Sequence, residues 1–292
     1  MLSTSQSHRR ALLRRISAGA GAIGLAAALP LRAQAFAPRL VTIGGAITEI
    51  VYLLGAEAQL VGTDTTSLYP AAALKTAKVG YMRTLSAEGL LSLRPDAVIG
   101  TTEAGPPVVI DQLRSAGVKV DLIVADHSWA EVQRKIVAVG RGAGRESQAR
   151  DLQGRLDADW AAVQKEVAQR TGRKPRVLFI LAHGASPQVA GENTAADAML
   201  RFAGGSNVMA GFQGYRPMTA EAMAAAAPDV VLTTTQGIEA QGGVDKFWAR
   251  PELALTPAFK RRALVHLDAL ALIGFGPRLP GTVRTLAQKL AV

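Results

Sequence analysis

The chain contains no cysteine. Disulfides and thiolate metal centres are therefore closed to it, and its stability has to come from packing. Export to an oxidising compartment stays open, because disulfides are permitted there and not required. Histidine is scarce too. His127 and His266 have no acid or second histidine at ligand spacing, and read as structural or surface residues. A zinc or manganese site wants several converging histidines and carboxylates, which this sequence does not supply. There is no Gly-x-Ser-x-Gly elbow and no phosphate-binding P-loop. Ser186, His183 and Asp197 lie too close together in sequence, without an elbow, to read as a nucleophilic triad, so the chain reads as a binding protein and not an enzyme. Blocks of lysine and arginine interleaved with aromatics are also missing, which removes nucleic acid as a partner.

What is present begins with an export signal. His8, Arg9, Arg10, Arg14 and Arg15 form a positive start, Ile16 to Leu29 is uncharged and apolar, and Ala33-Gln34-Ala35 is a small-x-small cleavage site. Residues 1–35 are expected to be removed, with a mature start near Phe36, in the periplasm. The apolar run of 14 residues is short for a membrane span. Arg9-Arg10-Ala11-Leu12-Leu13-Arg14 fits a twin-arginine signal, and general secretory export fits as well. Of the net charge of +10, five arginines lie in this segment with no acid, leaving +5 on the remainder. A moderately basic body favours an anionic small ligand.

The rest alternates short apolar runs with helical patterns. Strands are expected at Leu40–Ile43, Leu60–Val61, Ala97–Ile99 and Val118–Val124, with helices at Ile47–Leu54, Val108–Ala116 and Trp129–Val139. The plan recurs with strands at Val177–Leu181, Val230–Leu232 and Leu264–Leu267 and helices at Ala195–Phe202 and Leu279–Ala291. Such alternation predicts an α/β fold of two lobes with mainly parallel sheets. Between them, residues 145–170 are charged and helix-favouring, with Leu152, Leu156, Trp160, Val163 and Val167 in one apolar stripe. One helix of that length spans roughly 39 Å. The expected division is an N-terminal lobe over 36–143, a connecting helix over 144–172 and a C-terminal lobe over 173–292.

An internal echo supports two related lobes. Leu85-Ser86-Ala87-Glu88 through Pro95-Asp96-Ala97-Val98-Ile99 matches Met218-Thr219-Ala220-Glu221 through Pro228-Asp229-Val230-Val231-Leu232, at a constant offset of 133 residues. Ser86 and Thr219 suit helix N-caps, and each proline ends its helix before a buried strand.

Four segments carry a family resemblance: Gly44-Gly45-Ala46-Ile47-Thr48-Glu49-Ile50-Val51, Val79-Gly80-Tyr81-Met82-Arg83-Thr84-Leu85, Ala190-Gly191-Glu192-Asn193-Thr194-Ala195-Ala196-Asp197-Ala198-Met199 and Gly274-Phe275-Gly276-Pro277-Arg278. Together they resemble the periplasmic haem-binding proteins of haem ABC importers, over essentially residues 39–290. The resemblance implies two Rossmann-like lobes bridged by one long helix, a ligand cleft between them, and delivery of haem to a dimeric inner-membrane permease with its ATPase. The Glu-containing helix followed by Pro-Asp belongs to the wider siderophore and cobalamin binding class, which is the alternative reading.

The same resemblance implies that Tyr81 is the axial ligand of ferric haem b, the transported cargo of a monomeric carrier. A hard ferric ion favours a phenolate over the neutral phenol, and tyrosine ligation of haem has precedent. Arg83 is placed to pair with a propionate or with the phenolate, since residues 81 and 83 share a face if the segment is extended. His183 follows a strand of the second lobe, where it is either the ligand of a second haem or a loop histidine bonded to backbone. One haem per chain and two therefore both stay open. Further candidate contacts are Tyr69, Thr102, Phe212, Tyr215, Arg216 and Arg250, alongside Thr101 and Glu103 after one strand and Thr233 to Thr235 after its counterpart. Glu88 and Glu221 are implied as one exposed acid per lobe that docks onto permease arginines, or else acids that face a helix dipole.

Overall fold

The computed structural model describes residues 37–182 and 187–291. The export signal expected over 1–35 lies outside them, as does His183. The first lobe runs β1 (Leu40–Thr42), α1 (Gly45–Leu53), β2 (Leu60–Thr63), α2 (Ala87–Ser92), β3 (Ala97–Thr101), α3 (Pro107–Ser115), β4 (Lys119–Ile123) and α4 (Trp129–Ala143). The chain then continues through α5 (Glu146–Ala168) into β5 (Arg176–Leu181), β6 (Gln188–Ala190), α6 (Ala195–Phe202), β7 (Ser206–Asn207) and β8 (Tyr215–Pro217). It finishes with α7 (Ala220–Ala226), β9 (Val230–Thr234), α8 (Thr235–Ala240), α9 (Val244–Trp248), α10 (Pro257–Arg261), β10 (Leu264–Leu267), α11 (Ala269–Ile273) and α12 (Leu279–Lys289).

The first sheet has the order β2-β1-β3-β4 and is parallel throughout. The second runs β10-β9-β5-β6-β8, with β7 also against β5. Its β10, β9, β5 and β7 pairings are parallel, whereas β5–β6 and β6–β8 are antiparallel. Parallel strands buried on both faces read as unbroken apolar runs, and neighbouring residues serve opposite faces. Phe179 and Val177 accordingly join one large core, and Leu178 and Ile180 join another. In β1, Leu40 belongs to that same large core while Val41 packs on the far face of the first sheet. Each sheet thus turns one face to a shared interior and covers the other by itself.

Helix α5 lays one face on the shared interior. Leu152 and Val163 are buried, and Leu156, Trp160 and Val167 pack against the same core, as the apolar stripe predicts. Trp160 stacks on Trp129 of α4 at 5.0 Å between centroids and meets Phe202 of α6 edge-on at 4.9 Å, so one side chain touches both lobes. At 23 residues the helix spans roughly 34 Å. It stops at Ala168, within the 144–172 span expected from sequence. Gly144, ahead of the helix, is the left-handed C-cap of α4, at φ 63°. The two helices fold back on one another, so that Trp129 and Gln133 of α4 both donate to Asp157 of α5 while Gly140 packs on Ala149.

Candidate functional site

Parallel order aligns the C-terminal ends of β1, β2, β3 and β4 along one edge, and order reverses between β1 and β3, where α/β sheets form a crevice. Asp64, just after β2, organises this edge. One of its carboxylate oxygens accepts from the Gly44 amide at 2.9 Å and the Ser67 hydroxyl at 2.8 Å, and the other from the Thr66 amide and hydroxyl. Lys78 Nζ fastens the same loop by donating to Thr63 Oγ1 and to the carbonyls of Ser67 and Ala73.

Tyr81 is presented by a short segment pinned on both sides. Thr65 donates to the Gly80 carbonyl, Gly105 to the Met82 carbonyl, and Leu85 to the Gly105 carbonyl, each at 2.9 Å. Gly80 at φ 99° allows the sharp exit from the first of these. Leu85 is buried whereas the Tyr81 side chain stands 45% exposed, a phenol held out by a fixed backbone. The segment is not extended. Thr84 donates to the Tyr81 carbonyl at 2.9 Å, closing a turn, so the alternation that would put residues 81 and 83 on one face does not hold. Arg83 is instead directed to Glu103, Nη2 to Oε1 at 2.5 Å.

Tyr215, on β8 of the second lobe, is near enough to this pair to feel both charges. Burial pushes its phenol up to about 12, helped by the nearby Glu103 charge and opposed by Arg83. It stays protonated at neutral pH, a donor and not a phenolate. Phe212 and Arg216 do not join it. The Arg216 guanidinium lies over the Phe212 ring at 4.5 Å, and Phe212 packs on the core at the other face of the second sheet. Arg250 bonds to Gln241, which in turn donates to the Ala182 carbonyl at 3.3 Å, at the end of β5. Thr102 is occupied in bracing its own loop, accepting from the Ala125 amide at 3.2 Å. His266 meets the Thr235 hydroxyl at 3.1 Å.

Several residues that hold the site together escaped sequence reasoning. Lys135 and Glu131 of α4 form a buried pair at 2.6 Å, and Lys135 Nζ also donates to the carbonyls of Gly274 and Phe275. Burial lowers the lysine's pKa and Glu131 works against that. Arg278 donates to both carboxylate oxygens of Glu49 at 3.0 Å and to Asp268 at 3.0 Å, and lies over the Tyr69 ring at 4.1 Å. Burial raises the Glu49 pKa, while Arg278 pulls it down. A Cβ on Gly45 would sit 2.8 Å from Leu270, and one on Gly276 2.9 Å from Ala46. The Gly44-Gly45-Ala46 and Gly274-Phe275-Gly276-Pro277-Arg278 segments are therefore partners at the lobe junction. The signal was in the sequence as two glycine-rich segments, without any hint that they meet. The Thr194 segment is local scaffolding: Thr194 caps α6 at the Asp197 amide, and Asp197 holds Asn207.

Residues 40–271 match the sequence profile of the periplasmic binding protein family. The chain belongs to this family. Among solved structures it is similar to the periplasmic heme-binding protein BhuT in complex with two hemes, at 49% identity and a TM-score of 0.82, over 87% of this chain and 97% of that one. It is similar also to the periplasmic heme-binding protein RhuT from Roseiflexus sp. RS-1, at 39% identity and TM-score 0.81, covering 87% and 98%. HutB of Vibrio cholerae, likewise a periplasmic heme-binding protein, matches at 34% and 0.75, covering 87% and 99%. A vitamin B12-binding protein of Vibrio vulnificus is 25% identical over 79% of this chain and 82% of its own. The haem-binding relatives are the nearer group by identity, so the haem reading stands ahead of the cobalamin one.

Proposed function

We propose that this chain is the substrate-binding component of a haem ABC importer. It captures haem between its lobes in the periplasm and delivers it to an inner-membrane permease. The observation that carries this is a half-exposed tyrosine on a backbone pinned at Thr65 and Gly105, in a chain 49% identical to a two-heme binding protein. Tyr81 is the iron ligand in this reading, with ferric haem b as cargo. Two tyrosines face the cleft region, and they divide the work. Tyr215 is held neutral by burial, whereas Tyr81 meets solvent, where coordination to a ferric ion would favour its phenolate with the proton released to water. Tyr69, stacked under Arg278, offers an apolar surface to a macrocycle. His183 is the candidate for a second haem.

Hemin added to the purified mature protein is expected to give a high-spin ferric spectrum that Tyr81→Ala strongly weakens. An unchanged spectrum and affinity in the variant would remove Tyr81 from the role. The same titration reads stoichiometry. A break at two equivalents that falls to one in His183→Ala supports the second site, and a wild-type break at one retires it.

A further inference from the structure

Arg83 already holds a carboxylate. Its partner Glu103 belongs to the loop after β3, and both side chains are reachable by solvent, at 57% and 39% exposure. The surroundings of the Glu103 carboxylate are not those of an ordinary surface acid. Lys135 is near enough for Glu103 to stabilise its charge, and the lysine cannot swing out: Glu131 and the carbonyls of Gly274 and Phe275 hold it in place. Tyr215 of the second lobe is near enough to feel the same carboxylate, while its hydroxyl pairs with Thr194. The carboxylate is thus held by one mobile cation, Arg83, with a fixed cation, Lys135, within electrostatic reach. That set of partners would serve any carboxylate brought to the same place.

We infer that Glu103 is an internal stand-in for a ligand carboxylate: it occupies Arg83 in the empty cleft and is displaced when a propionate arrives. This rests on the haem reading. Displacement has two costs, breaking the Arg83–Glu103 pair and bringing a second negative charge near Glu103. An exposed pair is a weak competitor, so a carboxylated ligand can win. Glu103 would then set the selectivity of this part of the cleft. A ligand with free carboxylates engages Arg83, and one without them leaves the pair closed.

The test compares hemin with hemin dimethyl ester, which keeps the iron and the macrocycle and lacks both negative charges. Glu103→Gln is expected to tighten hemin by about three- to tenfold. The diester should show no such gain, and the gain should vanish in an Arg83→Ala background. An equal change for both ligands would mean a merely structural role and overturn the inference. So would a hemin affinity that is unchanged or weaker in Glu103→Gln, or a gain that persists without Arg83. If wild-type protein fails to bind hemin at all, the haem reading falls and this inference with it. If it binds hemin and only the Glu103 effect is missing, the inference alone fails.

Discussion

Lys135 shows how much a single residue can depend on context far away in sequence. Within α4 it reads as one of several basic residues on an amphipathic helix, and nothing nearby marks it as buried. Its carbonyl partners lie 139 and 140 positions downstream, so its role exists only once the second lobe has docked. Removing one member of a buried pair strands the other charge. Lys135→Met is expected to lower unfolding stability by roughly 3 kcal/mol in a urea titration, with part of that recovered in Lys135→Met/Glu131→Gln. A loss below about 1 kcal/mol would mean that Glu131 is satisfied by the Asp126 and His127 amides it already accepts. Tyr81 stood out in the sequence for a different reason. Its neighbours Gly80, Met82 and Arg83 form a distinctive local string, and the turn geometry that redirects Arg83 to Glu103 was not visible in that string.

At the scale of elements, the two matched helices carry their symmetry into backbone detail. Ser86 accepts from the Gly89 amide and Thr219 from the Ala222 amide, both at 3.3 Å. Arg94 and Ala227 both take left-handed conformations, at φ 48° and 43°, just before the paired prolines. Arg39 and Arg176 each reach back to the carbonyls of the corresponding helix end, and Asp96 and Asp229 accept their amides. The proline, the acid and the cap were readable because residue type repeats. The shared left-handed turn was not, because arginine and alanine share no side-chain chemistry. Short elements were lost for a related reason. β6 and β8 have three residues each, too few for alternation to declare itself. Ser86→Ala and Thr219→Ala are each expected to cost about 1 kcal/mol, and their sum should hold in the double variant because they share no partner. Thermal or urea unfolding of the three proteins measures this.

For the molecule as a whole, α2 and α7 offer a pair of exposed acids, Glu88 and Glu221, in the first turn of equivalent helices. Two like charges on a pseudo-symmetric carrier suit a dimeric permease with matching cations, where they fix orientation and speed encounter. Glu88→Ala with Glu221→Ala is expected to reduce haem uptake in cells severalfold while hemin affinity in the purified protein is unchanged. Normal uptake by that variant would dismiss the docking role. The two-lobe plan and the long helix were legible because hydrophobic period is a property of each segment taken alone. How the lobes are fastened was not, because every tie between them joins residues far apart in sequence.

Helix α5 folded back on α4, with Lys135, Arg278 and the paired glycines, fastens the two lobes at one junction. In the proposed import role, a junction tied at this many points predicts that empty and loaded molecules would present similar faces to the permease, and the empty form would compete for the entrance. Import then depends on the fraction of carriers that are filled, and raising the amount of protein without raising the supply of haem would slow delivery.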